Sequence, residues 1–383
     1  MVFVLPDSKG SIDKILFHHT AFHRYGKQVQ RGLFKSFLEN LNKASAIPEI
    51  YVIATYRNDS EKAFLEDEAK DWRSAAKSLA YENVQVDAGI WGKLPYAQDT
   101  CIVLNSEKPS AMITKSPRYS KMQTFFSKVE SLLHNAGLEI SRPEQNYNLE
   151  GGYIYACSQI LLYSNADDRE MLEAFEQEPI FVDDFVSRLT EEISSILFPG
   201  LASYSLPTHI DLMFSAFEKE DVCHVFYVDF REAILSDPSF SNRQHVLLER
   251  RLHELDEKLE EIKKRIQKHQ KNVVFHKVPG IIGFERAPEL DTRLYVANTV
   301  FVYSGANLLF HSGKKDYAFY LKFPDEENPL GHQINDEIES ALKDADLAPI
   351  AIHGSDEALN IFEIQNSAGL RCLMKVLSRT EKD

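Results

Sequence analysis

No stretch of this 383-residue chain approaches the roughly 18 consecutive apolar residues that a membrane-crossing helix needs. The opening "MVFVLPDSKGSIDKILFHHT" has no basic region followed by a long apolar run, so a cytoplasmic protein is expected; export by a route that uses no N-terminal signal stays open. Cysteine is scarce. The four residues Cys101, Cys157, Cys223 and Cys372 are far apart and show no C-x-x-C spacing, which argues against a disulfide framework or a sequence-local zinc site and makes reduced thiols the default. No His/Cys/Asp cluster has ligand spacing, so neither metal nor cofactor is expected, although scattered carboxylates that bind calcium would leave no signature. Gly/Ser-rich and Pro-rich linkers are also missing, and a single domain over residues 1–383 follows. Positive charge is in deficit: 43 Lys+Arg against 58 Asp+Glu give a net charge of −15, which argues against nucleic acid as a partner and favours a cationic substrate. The 44% hydrophobic and 26% charged content is that of an ordinary globular protein.

What is present is a recurring unit. "DTCIVLNSEKPSAMITK" from residue 99 reads as two short strands around a polar turn, and "RYSKMQTFFSKVESLLHNAG" follows with Phe125, Val129, Leu132 and Leu133 at helical spacing. Gly137 is expected as the C-terminal cap there, and "LEI" then resumes an extended pattern. A second copy has "LEGGYIYACS" and "QILLYS" as strands and "VDDFVSRLTEEISSILF" as its helix, with Asp183 or Asp184 as N-cap. The third runs through "HIDLMFSAF", "CHVFYVDF", a helix from Asn242 to Lys271 and "NVVFHKV". The fourth has "TRLYVANTVFVYS", "NLLFHSG", the helix "NDEIESALKDADL" and "APIAIHG". The N-terminal "KILFHH", "VQRGLFKSFLENLNKA" and "EIYVIAT", joined by the C-terminal "LNIFEIQ" and "RCLMKVLS", complete a fifth. Each unit alone has too little core to be stable, so the repetition suggests modules arranged around an axis.

The helix over residues 242–271 is the exception in length. Leu248, Leu252, Leu255, Leu259, Ile262 and Ile266 recur in alternating steps of four and three, a seam of coiled-coil character. Two uses are open: packing on the protein's own body, or a projecting arm for a homodimer or another protein partner.

Polar residues interrupt the apolar strand openings in four places: Asp99 in "AQDTCIVL", Glu150 in "LEGGYIYA", His209 and Asp211 in "PTHIDLMF", and Cys372 in "SAGLRCLMKVL". On a strand, His209 and Asp211 would share one face while Ile210, Leu212 and Phe214 take the other. Strands that open equivalent modules begin near the common axis, so these five side chains are expected to converge. Cys101, Cys157 and Cys223 sit inside strands and read as inert buried thiols.

In order and spacing, Gln98-Asp99-Thr100, Glu150-Gly151-Gly152, His209-Ile210-Asp211 and Gly369-Leu370-Arg371-Cys372 resemble the motifs of the guanidine-modifying enzymes of the pentein superfamily, from about residue 99 to 377. That superfamily includes arginine deiminases, agmatine deiminases, dimethylarginine dimethylaminohydrolases and amidinotransferases. The resemblance implies an α/β fold, a five-module ββαβ propeller, and a hydrolase acting on a guanidinium group through a covalent Cys-amidino intermediate. By the same resemblance Cys372 is the nucleophile, His209 the acid and base, Glu150 its orienting carboxylate, and Asp99 with Asp211 the substrate-binding pair. The alternatives are an amidinotransferase using the same site and a binding protein that kept the fold without the chemistry. The sequence departs from the pattern at Gln98, where arginine or glutamate is common, at Tyr153, where asparagine or aspartate is frequent, and at Ser367-Ala368, where glycine is usual. Tyr153 is expected to fill space that a small substrate would otherwise occupy, so the departures bear on the choice of guanidine, free or within a protein.

Overall fold

Alternating apolar residues in short runs give strands that cannot stand alone, and each run finds partners in the same way. A computed structural model describes residues 2–20, 29–44, 47–87, 97–114, 119, 121–141, 150–182, 209–230, 241–285, 299–323, 329–353, 371 and 373–380. Numbered in chain order, its strands form five sheets.

In the sheet nearest the expected pattern, β5 (Cys101–Asn105) pairs antiparallel with β6 (Ser110–Ile113), and β6 pairs parallel with β7 (Glu139–Ser141). β1 (Phe3–Val4) adds to the free edge of β5. A parallel neighbour needs a crossover, here the helix Gln123–Asn135, which buries the four predicted residues Phe125, Val129, Leu132 and Leu133. Past its end Gly137 takes a φ of +82°, the left-handed conformation that stops the helix at little steric cost.

The antiparallel-then-parallel order repeats. It joins β8 (Ile154–Ala156), β9 (Ile160–Tyr163) and β10 (Glu178–Phe181). It joins β11 (Phe214–Lys219), β12 (Val222–Asp229) and β13 (Val273–Glu285), the last extended by β14 (Thr299–Ser304). It joins β15 (Leu309–Ser312), β16 (Asp316–Leu321) and β17 (Ala348–Ile352) around the helix Pro329–Asp344. In the fifth sheet the C-terminal β18 (Met374–Thr380) pairs antiparallel with β2 (Ser11–Thr20), which pairs parallel with β3 (Glu49–Tyr56). The two ends of the chain thus complete one sheet. The apolar helices and sheet faces meet in a large core in which Phe17, Phe34, Phe37, Phe217, Phe226 and Phe310 are fully buried.

Three sequence readings need correction, and a fourth is untested. In the second unit, the third strand is "EPIF", reached through a helical turn at Arg169–Leu172 whose Met171 and Leu172 are buried; the helix expected in "VDDFVSRLTEEISSILF" lies outside the described residues, apart from Val182. "TVFVYS" pairs with β13 and so belongs to the third sheet, not the fourth. A helix, Asp59–Arg73, and a further parallel strand, β4 (Ser78–Gln85), extend the fifth sheet beyond what was read. The segment "LNIFEIQ" lies outside the described residues.

The long helix spans Asn242–His269. Leu252, Leu255, Leu259, Ile262 and Ile266 are all buried, in one cluster with Ile180, Val182, Val225 and Val228. Lys263 lies over the Tyr227 ring at 3.7 Å, and Arg265 donates to the Phe181 carbonyl at 3.0 Å. The seam therefore packs on the protein's own body, and these five residues do not form a projecting arm or a homodimer face, because their apolar surface is already taken. Leu248's side chain lies outside the described residues, and the solvent-facing residues of the first turns include Val246 and Leu247.

Candidate active site

In each sheet the strand that opens the antiparallel-then-parallel order is entered through the same local device. A backbone hydrogen bond three residues long closes a tight turn just before β5, β8, β11, β15 and β18: Thr100 N–H to Ala97 O at 3.2 Å, Tyr153 to Glu150 at 3.0 Å, Leu212 to His209 at 3.1 Å, Asn307 to Ser304 at 3.3 Å, and Met374 to Arg371 at 3.2 Å. The polar residues singled out in the sequence sit in or beside these turns. The reading of His209 and Asp211 as strand neighbours on one face is corrected by this: β11 begins at Phe214, and Ile210–Leu212 is a single 3-10 turn entered from His209. The turn at Gly151–Tyr153 touches both the turn at Ala97–Asp99 and the turn at Ile210–Leu212, so three modules meet by their turns.

Asp99, Glu150 and His209 converge. Their functional atoms lie within 4.8 Å of one another, and all three are buried. His209 Nε2 is 3.7 Å from Asp99 Oδ1 and has no hydrogen-bond partner among the described residues. Asp99 accepts from the Gly152 N–H at 3.2 Å and is held through its backbone carbonyl by Thr114 Oγ1 at 2.5 Å. Glu150 accepts from the Tyr119 hydroxyl at 3.3 Å. The Tyr153 ring stands edge-on to the His209 imidazole at 5.4 Å, so it walls the histidine directly. Asp211 is buried at 1% exposure.

The two glycines are required by close approach. A side chain at Gly151 would place its Cβ 1.9 Å from the Gln98 carbonyl oxygen, and one at Gly152 would lie 2.4 Å from His209 Nδ1 and 2.7 Å from Asp99 Oδ1. Gln98 itself donates through Nε2 to the Gly151 carbonyl at 3.2 Å, which explains an amide at this position as a brace between two modules.

The electrostatics are those of a crowded, buried acidic cluster. Burial raises the Asp99 carboxyl from 3.8 to about 6; His209 opposes the rise, and the negative charges of Glu150 and Asp211 add to it. Burial likewise lowers the Lys375 ammonium, whose charged neighbours include Asp7 and Asp99.

Cys372 lies outside the described residues, but its flanks do not. Arg371 is buried, donates its N–H to Asn307 Oδ1 at 2.7 Å, pairs with Asp7 Oδ2 at 2.5 Å and lies over the Tyr155 ring at 4.1 Å. The Tyr155 hydroxyl in turn bonds the backbone of Ala216. Leu373 and Met374 are buried, and β18 touches the Ala97–Asp99 turn. Sequence reasoning missed Tyr119, Thr114, Asn307, Asp7, Arg371 and Lys375; only Arg371, inside a quoted motif, carried a local signal.

No protein-family model and no curated protein sequence matches the chain. Solved structures do match. An agmatine deiminase of C. jejuni aligns over 100% of this chain and 98% of its own, with a TM-score of 0.57 and 14% identity. The agmatine deiminase of Enterococcus faecalis aligns over 98% of this chain and 95% of its own, with a TM-score of 0.61 and 9% identity. The chain therefore shares the fold of these two agmatine deiminases, in line with the fold that its motifs suggested.

Proposed function

We propose that the chain is a hydrolase of guanidinium groups, of deiminase type, with the five sheets as the blades of a five-module ββαβ propeller and the reaction at the meeting of their entry turns. The observation that carries this reading is the buried cluster of Asp99, Glu150 and His209, drawn from three separate modules to within 4.8 Å. An imidazole with a free nitrogen among carboxylates suits a planar cation with N–H donors along its edges.

In this reading Asp99 and Asp211 accept the guanidinium N–H groups and leave the central carbon open on one side. The Cys372 thiolate adds to that carbon. His209 then protonates the departing nitrogen, which leaves as ammonia or an amine, and the substrate remains as a thioether-linked amidino group on sulfur. Water, deprotonated by His209, attacks the same carbon; the carbon–sulfur bond breaks and a ureido product is released. Glu150, fixed by the Tyr119 hydroxyl, orients the imidazole through both steps. Fold alone does not assign a reaction, so the weight rests on these side chains.

Agmatine is the first substrate to test because the fold neighbours bear that name; free arginine, methylated arginines and an arginine-containing peptide follow. The long helix does not bear on the choice between a small and a macromolecular substrate, since its seam is buried within the chain. Incubation with each guanidine should give a ureido product and released amine from one of them, and Cys372→Ala should abolish both. Transfer of the amidino group to an added amine in place of hydrolysis would turn the reading to an amidinotransferase. Absence of turnover on all of them, together with no labelling of Cys372 by a haloacetamidine, would refute it in favour of a binding role.

A further inference from the structure

The opening strands carry the candidate active site at their entry and a different cluster at their far end. β8 begins after Glu150 and ends before Cys157; β11 begins after His209 and Asp211 and ends near Glu218. At that far end Cys157 Sγ, Cys223 Sγ and a Glu218 carboxylate oxygen lie within 4.8 Å of one another. Glu218 and Cys223 are directly opposed on the antiparallel pair β11 and β12, so their side chains share a face. Cys157 approaches from the neighbouring sheet. Both thiols are fully buried, whereas Glu218 is half-buried.

We propose that Cys157, Cys223 and Glu218 form a binding site for a thiophilic divalent cation, with zinc as the probe that fits it. Two sulfur ligands and one carboxylate oxygen make a donor set suited to zinc and place three corners of a tetrahedron. The carboxylate is already oriented: Ser158 donates to it from its backbone N–H at 2.8 Å and from its hydroxyl. Such an outer partner is what a ligating carboxylate requires. Glu218 and Ser158 also line a cavity of about 700 Å³ together with Lys9, Gln159, Gln270 and Ser312, which provides an entry path and room for water at the fourth corner. No local signal marks this site, because the ligands come from separate turns and strands with no motif spacing. A bound cation would join the second and third sheets at the end away from the catalytic cluster.

The test uses the full chain, reduced with a phosphine and stripped of metal. Cobalt(II) is added first, then zinc. Binding at this site produces thiolate-to-cobalt charge-transfer absorption, which zinc abolishes while raising the thermal midpoint of the protein. Cys157→Ser or Cys223→Ser removes the absorption, Ser158→Ala weakens zinc about tenfold, and Cys372→Ala leaves both signals in place, which separates this site from the catalytic cluster. A reduced wild-type chain without the charge-transfer band overturns the proposal whatever the variants do. So does a band that survives Cys157→Ser or that disappears in Cys372→Ala.

Discussion

Asp99→Asn should make the protein more stable at neutral pH and nearly inactive. The substitution keeps the shape and keeps an oxygen for the Gly152 N–H, but removes a charge that burial penalises. In the folded chain the carboxyl titrates at about 6 against 3.8 when free. Between those values the folded protein holds a proton that the unfolded chain has released, so the stability of the wild type falls as pH rises through this window. Above about pH 6 the loss is complete, and the difference in pKa corresponds to at most about 3 kcal/mol. The asparagine variant has no such loss. Denaturant unfolding of both proteins from pH 4 to 8 should therefore show a stability gap that is small at the acid end, opens toward pH 6 and is flat beyond it. The same carboxyl must be ionised to grip a cation, so kcat/KM of the wild type should fall about tenfold per pH unit below about pH 6. An asparagine variant that is less stable than wild type by the same amount at every pH would refute the electrostatic reasoning. An acid limb far from pH 6 would refute the role of Asp99 in binding.

Two further perturbations test other parts of the structure. Gly152→Ala introduces a Cβ 2.4 Å from His209 Nδ1, so turnover should drop by a factor of a hundred or more, on the order of 3 kcal/mol of barrier, while circular dichroism shows the fold retained; an active alanine variant would mean the imidazole is not held there. Leu259→Ala, in the buried seam of the long helix, should cost about 2–5 kcal/mol in denaturant unfolding and leave the mass in solution unchanged; a change of oligomeric state with little loss of stability would restore the seam as a docking face.

Much of the fold was legible because local pattern and tertiary outcome agree. Phe125, Val129, Leu132 and Leu133 announce a buried helical face, and Gly137 its end, and both are as read. The positions of Asp99, Glu150 and His209 at module entries were legible too, since a carboxylate or imidazole at the start of an apolar run stands out. Their conformation was not. His209-Ile210-Asp211-Leu212 alternates polar and apolar as a strand does, but a 3-10 turn accommodates the same order, and the choice is made by the neighbouring turns that pack against it. The partners that tune the site were hidden for a simpler reason. Tyr119 reaches Glu150, and Asn307 reaches Arg371, from other modules, so nothing near either residue in the chain marks the contact.

The charge of the site argues for the kind of ligand it takes. Asp99, Glu150 and Asp211 are each buried, and the charges of the other two act on Asp99; Asp7 pairs with Arg371. Arg371 is spent on Asp7, and burial weakens the hold of Lys375 on its proton. Among the described residues the cluster is thus short of positive charge in a place where water cannot make up the difference, and burial, with the charges of Glu150 and Asp211 adding to it, raises the pKa of Asp99. A site in such deficit would be stabilised by a cation that enters it, as the proposed function requires. In the proposed reading that cation is a guanidinium, which is flat and carries N–H donors for more than one carboxylate. A chain with a net charge of −15 also draws such a cation toward it from solution. If Asp99 binds the cation as proposed, stability is given up there in exchange for affinity, and its loss and its gain should appear in the same variant.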